Sequence, residues 1–265
     1  MLRLENITKT FHKGTPNEKH ALHDMNFQAD DGDFITVIGT NGAGKSTLLN
    51  IISGVFMPDA GAVILDGEDI TKRKEHQRAR HIGRLFQDPM KGTAPNMTIE
   101  ENLGLAYARG TRRSLSPGIR KKDRVLFRET LAALDLGLED RMQTKVKLLS
   151  GGQRQALTLM MATIKTPKLL LLDEHTAALD PVTAEKVMRI TDERIREHKI
   201  TTLMITHDVR QALQYGNKTV MLSKGRIVFT LGGEQRKNMG PDELVRYYTE
   251  TAESISDTML FSVKG

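Results

Sequence analysis

The sequence predicts an α/β fold with a helical block set into it. Three observations predict this. The first third is strand-rich with one helix hung from a glycine loop. Apolar spacing turns helical between Ile99 and Ile164, and the last third returns to strand–helix alternation. Leu2–Ile7 alternates apolar and polar residues and reads as a strand, and Ala21–Phe27 does so less cleanly. Asp31-Gly32 is a turn. Phe34–Ile38 is a short buried strand entering the glycine loop, and Lys45–Ser53 a helix ending near Gly54. Gly61–Asp66 is a further strand with Asp66-Gly67 as its hairpin turn. In the middle, Leu126, Leu131, Leu134 and Leu138 form one helical set, and Leu157, Met160, Met161 and Ile164 another. Ser116-Pro117-Gly118 interrupts the block as a loop. Leu169–Leu172 is wholly apolar, as a strand of a parallel sheet covered on both faces is. Ala184–His198 is an amphipathic helix, Thr201–Thr206 a strand and Asp208–Tyr215 a helix. Thr219–Leu222 and Arg226–Thr230 form a hairpin around Lys224-Gly225, and Pro241 opens a helix followed by a polar tail.

At 265 residues the chain is long enough for one large domain or two joined lobes. No run approaches the ~18 apolar residues of a membrane span. No charged-then-apolar leader occupies Met1–Thr10, so secretion is not expected. The absence of cysteine excludes disulfides and thiolate metal sites, and is compatible with the cytosol. Charge is uneven. Arg109, Arg112, Arg113, Arg120, Lys121, Lys122 and Arg124 face Asp123 alone, and this segment carries the whole net charge of +6. It reads as a solvated face, as a contact for anionic lipid headgroups, or as a nucleic-acid patch. Tyr107 is its one aromatic, which leaves little for base stacking, so no nucleic-acid partner is expected.

Gly39-Thr40-Asn41-Gly42-Ala43-Gly44-Lys45-Ser46 fits G-x-x-x-x-G-K-[ST] after an apolar strand and before an apolar helix. The glycines let successive N–H groups point at phosphate oxygens, and the helix start adds its positive dipole. Lys45 supplies a mobile ammonium for the β- and γ-phosphates, and the Ser46 hydroxyl is placed for Mg2+. Gly39, Asn41, Gly42, Ala43, Gly44, Lys45, Ser46 and Thr47 are thus the expected nucleoside-triphosphate seat. Further on, Leu169–Leu172 delivers Asp173 and Glu174 to a strand end. Asp173 is expected to hold Mg2+ and Glu174 to act as general base on water. The plainer alternative is a pair of acids capping the next helix.

Leu149-Ser150-Gly151-Gly152-Gln153 stands between these motifs, and with it the chain resembles the ATP-binding-cassette (ABC) ATPases from about Leu2 to Gly232. The resemblance implies a P-loop NTPase with a RecA-like mixed sheet flanked by helices, an antiparallel β subdomain and an inserted helical subdomain. Residues 1–240 would be one ABC ATPase domain with the helical insertion at about 88–164, and 241–265 a C-terminal helix and tail. It places Phe11 on adenine, where the alternative is core packing. Gln87 falls at the Q-loop, touching Mg2+ or water, although alone it is a turn residue. Ser150, Gly151, Gly152 and Gln153 would cap the γ-phosphate held by an opposite subunit, where the alternative is an ordinary helix cap. Asp180, in Ala178-Leu179-Asp180, matches the loop that crosses the dimer seam, and His207 the histidine on the γ-phosphate. Glu174, His207, Gln87 and Lys45 are therefore the expected catalytic group. One departure is His175, where many family members carry proline.

ATP then closes a homodimer, or a paired cassette, head to tail. With no span of its own, such a chain requires separate transmembrane permease subunits at the cytoplasmic face of the inner membrane. Residues 88–102 would help line the groove for a permease helix. The segments Leu169–Pro181 and Gly92–Thr98 look like those of importer ATPases that work with a substrate-binding protein, implying uptake of a small solute such as an amino acid. The alternatives are an exporter ATPase, or a soluble ABC ATPase of DNA repair or translation. For the last, the interval Asn50–Leu149 is too short for a coiled coil, and a single cassette is present.

Overall fold

A computed structural model describes residues 1–110, 118–247 and 249, in two compact units: Met1–Lys74 with Thr201–Gly265, and Glu75–Ile200. Arg112, Arg113 and most of the expected Ser116-Pro117-Gly118 loop lie outside the described residues, as does the tail beyond residue 250.

The first unit opens with β1 (Leu2–Phe11), β2 (Lys19–Ala29), β3 (Phe34–Gly39), α1 (Lys45–Ser53), β4 (Ala60–Leu65) and β5 (Glu68–Asp69). The second holds α2 (Glu75–Arg78), β6 (Ile82–Leu85), α3 (Ile99–Tyr107), α4 (Lys121–Ala132), α5 (Gly151–Thr163), β7 (Leu169–Asp173) and α6 (Pro181–His198). The chain then returns to the first unit with β8 (Thr201–Ile205), α7 (Val209–Gln214), β9 (Lys218–Ser223), β10 (Arg226–Gly232) and α8 (Gly233–Asn238). Residues 241–247 are helical.

In the first unit β2-β1-β4-β5 form an antiparallel sheet. Leu2, Leu4 and Ile7 are buried, and the alternation changes phase where Asn6 takes φ 51° and the ladder shifts register. The bulge lets β1 continue to Phe11, four residues past the expected end. A mixed sheet lies in the same unit: β3 is parallel to β8 on one side and β9 on the other, and β10 is antiparallel to β9. Phe34, Ile35, Thr36, Val37 and Ile38 are all buried, as is every residue of β8, which fits strands covered on both faces. The polar atoms in this core are paired. Thr36 and Thr219 both reach the carbonyl of Ala212, and the buried Arg236 guanidinium donates to Thr219 Oγ1 (2.9 Å) and to Ala212 O (2.8 Å). That knot fixes the C-terminal end of α7.

In the second unit β6 and β7 are parallel, Ile82 opposite Leu169 through Leu85 opposite Leu172. The helical core centres on Ile99, Leu103, Phe127, Leu131, Leu157 and Met160, each buried. On α4 Phe127 is buried beside Leu131, whereas Leu126 is only half-buried. The helical spacing expected through Leu134 and Leu138 is not one helix: Asp135 turns left-handed at φ 52°, and both leucines are buried from turns. α6 starts at Pro181, three residues before the expected Ala184. Asp180 caps it, accepting from Thr183 N (3.1 Å), and proline is tolerated at its first position.

Candidate active site

The phosphate loop in the first unit leaves β3 at Gly39 and enters α1 at Lys45. Its backbone path demands glycine. Gly39 sits at φ 150°, and a Cβ there would lie 2.2 Å from Leu222 O; Gly44 sits at φ 103°, with a Cβ 2.7 Å from Ala21 O. The loop is braced by Ala43 N donating to Thr40 O (3.1 Å) and Gly225 N donating to Ala43 O (3.0 Å). Lys45 is buried, and its Nζ donates to Gly39 O (2.7 Å) and Thr40 O (3.1 Å), which holds the ammonium inside the loop. No side chain caps α1 and no acid stands in its first turn, so its N-terminal dipole is left for an anion. Ser46 is exposed and Thr47 half-buried on that turn.

β8 ends beside β3, with Val37 opposite Ile205, so His207 leaves the same sheet edge as Gly39. His207 is exposed. The turn around it is held by Asp208 N donating to Thr206 Oγ1 (3.1 Å) and by Asp208 Oδ1 accepting from Arg210 N (2.8 Å). Phe11 is half-buried at the end of β1, edge-on to Phe56 at 5.3 Å. The first unit therefore gathers the phosphate loop and His207 at one sheet edge.

In the second unit β6 and β7 end together, which brings Gln87 level with Asp173 and Glu174. Glu174 takes φ 45°, a conformation that costs a non-glycine residue about 1 kcal/mol. These acids do not cap α6, because Asp180 does. Asp173 Oδ2 lies 3.4 Å from Arg84 Nη2, and the guanidinium stacks on Phe86 at 4.6 Å. Sequence reasoning passed over Arg84; the signal was an arginine inside a short apolar run just before Gln87. Ser150 caps α5 in a capping box: its Oγ accepts from Gln153 N (3.2 Å), and Gln153 Oε1 accepts from Ser150 N (3.2 Å). Since Oγ accepts there, its O–H remains a donor. Gly152 packs on α6, where a Cβ would lie 2.1 Å from Thr183 Cγ2. The signature segment and the Asp180 turn are thereby joined in one surface. Asp180 is exposed, and hydrogen bonds from Thr183 hold its carboxyl below the usual range.

His175 is buried, 3.4 Å from Thr191 Oγ1, and burial lowers its pKa to about 4. It is a neutral packing group in the structure. Its folded pKa lies below the unfolded value, so the unfolded chain binds the extra proton between pH 6.5 and about 4. Stability from this group is complete above that window and is lost as pH falls through it, by about 3 kcal/mol. Thermal melts of wild type and His175→Gln across the window should converge as pH falls; parallel curves would show that His175 is not buried neutral.

Among the described residues no three His, Asp or Glu side chains cluster as a metal cage. In the second unit the exposed Gln87 amide and the half-buried Asp173 carboxylate are oxygen donors of the kind that suits an ion which keeps water among its ligands.

A glycine loop between a buried parallel strand and a helix, and a carboxylate at the end of a second such strand, define a P-loop nucleoside triphosphatase. The ABC transporter family model matches residues 22–177, and the chain belongs to that family: it is an ATP-binding subunit that hydrolyses ATP. The chain is 43% identical to the tyrosine transport ATP-binding protein of Clostridioides difficile over 94% of its own length and 98% of the relative's. It is 33% identical to the phosphonates import ATP-binding protein PhnC of Lactococcus lactis subsp. cremoris, over 86% and 92%. Among solved structures, the dimeric post-hydrolysis state of the ATP-binding cassette MJ0796, bound to ADP and Pi, superposes with a TM-score of 0.76 at 30% identity, covering 88% of this chain and 98% of that one.

Proposed function

We propose that the chain is the ATPase subunit of a membrane importer, peripheral on the cytoplasmic face of the inner membrane. It drives separate transmembrane permease subunits that take up a small solute, such as an amino acid, delivered by a substrate-binding protein. The observation that carries this reading is the near full-length likeness to transport and import ATP-binding proteins. Two features agree with it. Among the described residues no helix is long and apolar enough to cross a membrane. A groove of about 410 Å³ in the second unit, lined by Phe86, Lys91, Thr93 and the exposed Leu105, suits a helix of a permease.

In this reading residues 1–240 act as one ATPase domain with a helical insertion at about 88–164, and 241–265 follow as a helix and tail. Two copies close head to tail on two ATP. Phe11 stacks on adenine, and Gly39, Asn41, Gly42, Ala43, Gly44, Lys45, Ser46 and Thr47 hold the phosphates. Ser46, Asp173 and Gln87 are the donors that fit Mg2+, which when bound neutralises phosphate charge. Glu174 accepts the proton of the attacking water, and His207 steadies the γ-phosphate. Ser150, Gly151, Gly152, Gln153 and Asp180 of one copy reach the nucleotide of the other. The free Ser150 O–H at a helix start with no acid in its first turn supports that role.

Affinity purification of the tagged chain from membranes should recover a multi-spanning permease, and vesicles bearing the complex should take up solute on ATP. Recovery of a repair or ribosomal assembly, or outward movement of solute, would overturn the importer. Ser150→Arg should leave nucleotide binding by the monomer unchanged while abolishing dimer closure and turnover, read by calorimetry and sizing with ATP. Unchanged turnover would remove the signature segment from the opposite site.

A further inference from the structure

Lys19 opens β2 and stands directly opposite Phe11 in the antiparallel ladder. Opposed residues project from the same face, so the two side chains leave the sheet together. The lysine then reaches the phosphate loop: a Cβ built on Gly42 would lie 3.8 Å from Lys19 Nζ, the one atom within 4 Å. The ammonium thus stands between the aromatic residue and the middle of the glycine loop. Among the described residues no acid is paired with it. Its neighbour Glu18 accepts from Gly14 N (2.6 Å) and lies 3.1 Å from the His20 ring, and Asp59 is held by Lys9 at 2.8 Å. Among the described residues the Lys19 side chain has no hydrogen bond or ion pair, and the residue is exposed. An exposed cation so placed meets a polyanion entering the loop.

We propose that Lys19 is a further nucleotide-binding residue, placing its ammonium on the polyphosphate of an adenine nucleotide held between Phe11 and the loop 39–46. This selects nucleoside di- and triphosphates over the uncharged nucleoside. The inference rests on the reading of Phe11 and that loop as the nucleotide seat. A charge-assisted contact on a solvated polyphosphate is expected to contribute about tenfold in affinity, and to fade with salt.

Calorimetric titration of the full chain with ADP and with ATP tests it, at low and high ionic strength, for wild type, Lys19→Gln, Lys19→Arg and Lys45→Ala. Lys19→Gln should bind both nucleotides about tenfold more weakly at low salt. The gap should narrow at high salt, and Lys19→Arg should restore most of the affinity. Melting temperatures without nucleotide should be unchanged, since Lys19 is exposed. Wild-type affinity in Lys19→Gln, with binding weakened in Lys45→Ala, overturns the proposal and leaves the seat in place. Wild-type affinity in both overturns the seat and the proposal together. A loss in Lys19→Gln that is independent of salt and unrescued by arginine also overturns it, since a local structural effect would then account for the change.

Discussion

Glu174→Gln should bind ATP and lose turnover by about 10²–10⁴-fold, the range of a general base. The substitution keeps size and shape. Glu174 N–Cα geometry at φ 45° and the Ala177 N to Glu174 O hydrogen bond (3.0 Å) belong to the backbone, so both survive in the amide. The buried His175 that follows is also untouched and holds the turn against α6 through Thr191. What disappears is a carboxylate able to accept a proton. Binding then proceeds and the opening step does not, so a dimer should accumulate at high ATP. Phosphate release measures the first effect, and sizing chromatography with ATP the second. Normal turnover would show that another group takes the proton.

The parts of this site that were legible in the sequence are those whose chemistry is local. Gly39 and Gly44 are fixed by backbone angles and by carbonyls of neighbouring strands, so the motif announces the loop before any fold is known. The bounds of α1, Lys45–Ser53, likewise follow from that loop and from the left-handed stop at Gly54. What escaped depends on partners distant in sequence. β6 is four residues containing Gly83 and Arg84, and only the ladder with β7 makes it a strand. α8 is a short polar segment, anchored by burial of Arg236 against α7. Apolar spacing continued past α4 because Leu134 and Leu138 are both buried, but the helix ends at Ala132 and the left-handed Asp135 lies between them.

The same distinction separates the site residues. Asp173 was readable as a carboxylate on an apolar strand, whereas its neighbour Arg84 comes from another strand across the sheet. Ser150 was readable from its motif, and its capping box followed the spacing to Gln153. Lys19 was not readable, because the register opposite Phe11 is set across an intervening turn. In that turn His12 takes φ 53° and Thr15 N donates to His12 O (3.1 Å).

Lys45→Ala should weaken ATP binding by about 10²-fold or more. The ammonium is the group of the loop that combines a full charge with a fixed position: it is buried and held by the carbonyls of Gly39 and Thr40. Charge-assisted hydrogen bonds to phosphate are worth up to about 3 kcal/mol, which is a hundredfold in affinity. The backbone N–H groups and the α1 dipole remain in the variant, so weak binding should persist. The two carbonyls lose their donor, but Thr40 is exposed, and water can replace the ammonium there. The melting temperature without nucleotide should therefore fall by only a few degrees, on the order of two lost part-buried hydrogen bonds. Calorimetry with ATP and a thermal melt of the same sample separate the two effects. A large loss of melting temperature with unchanged affinity would make Lys45 a brace of its own loop and not a phosphate ligand.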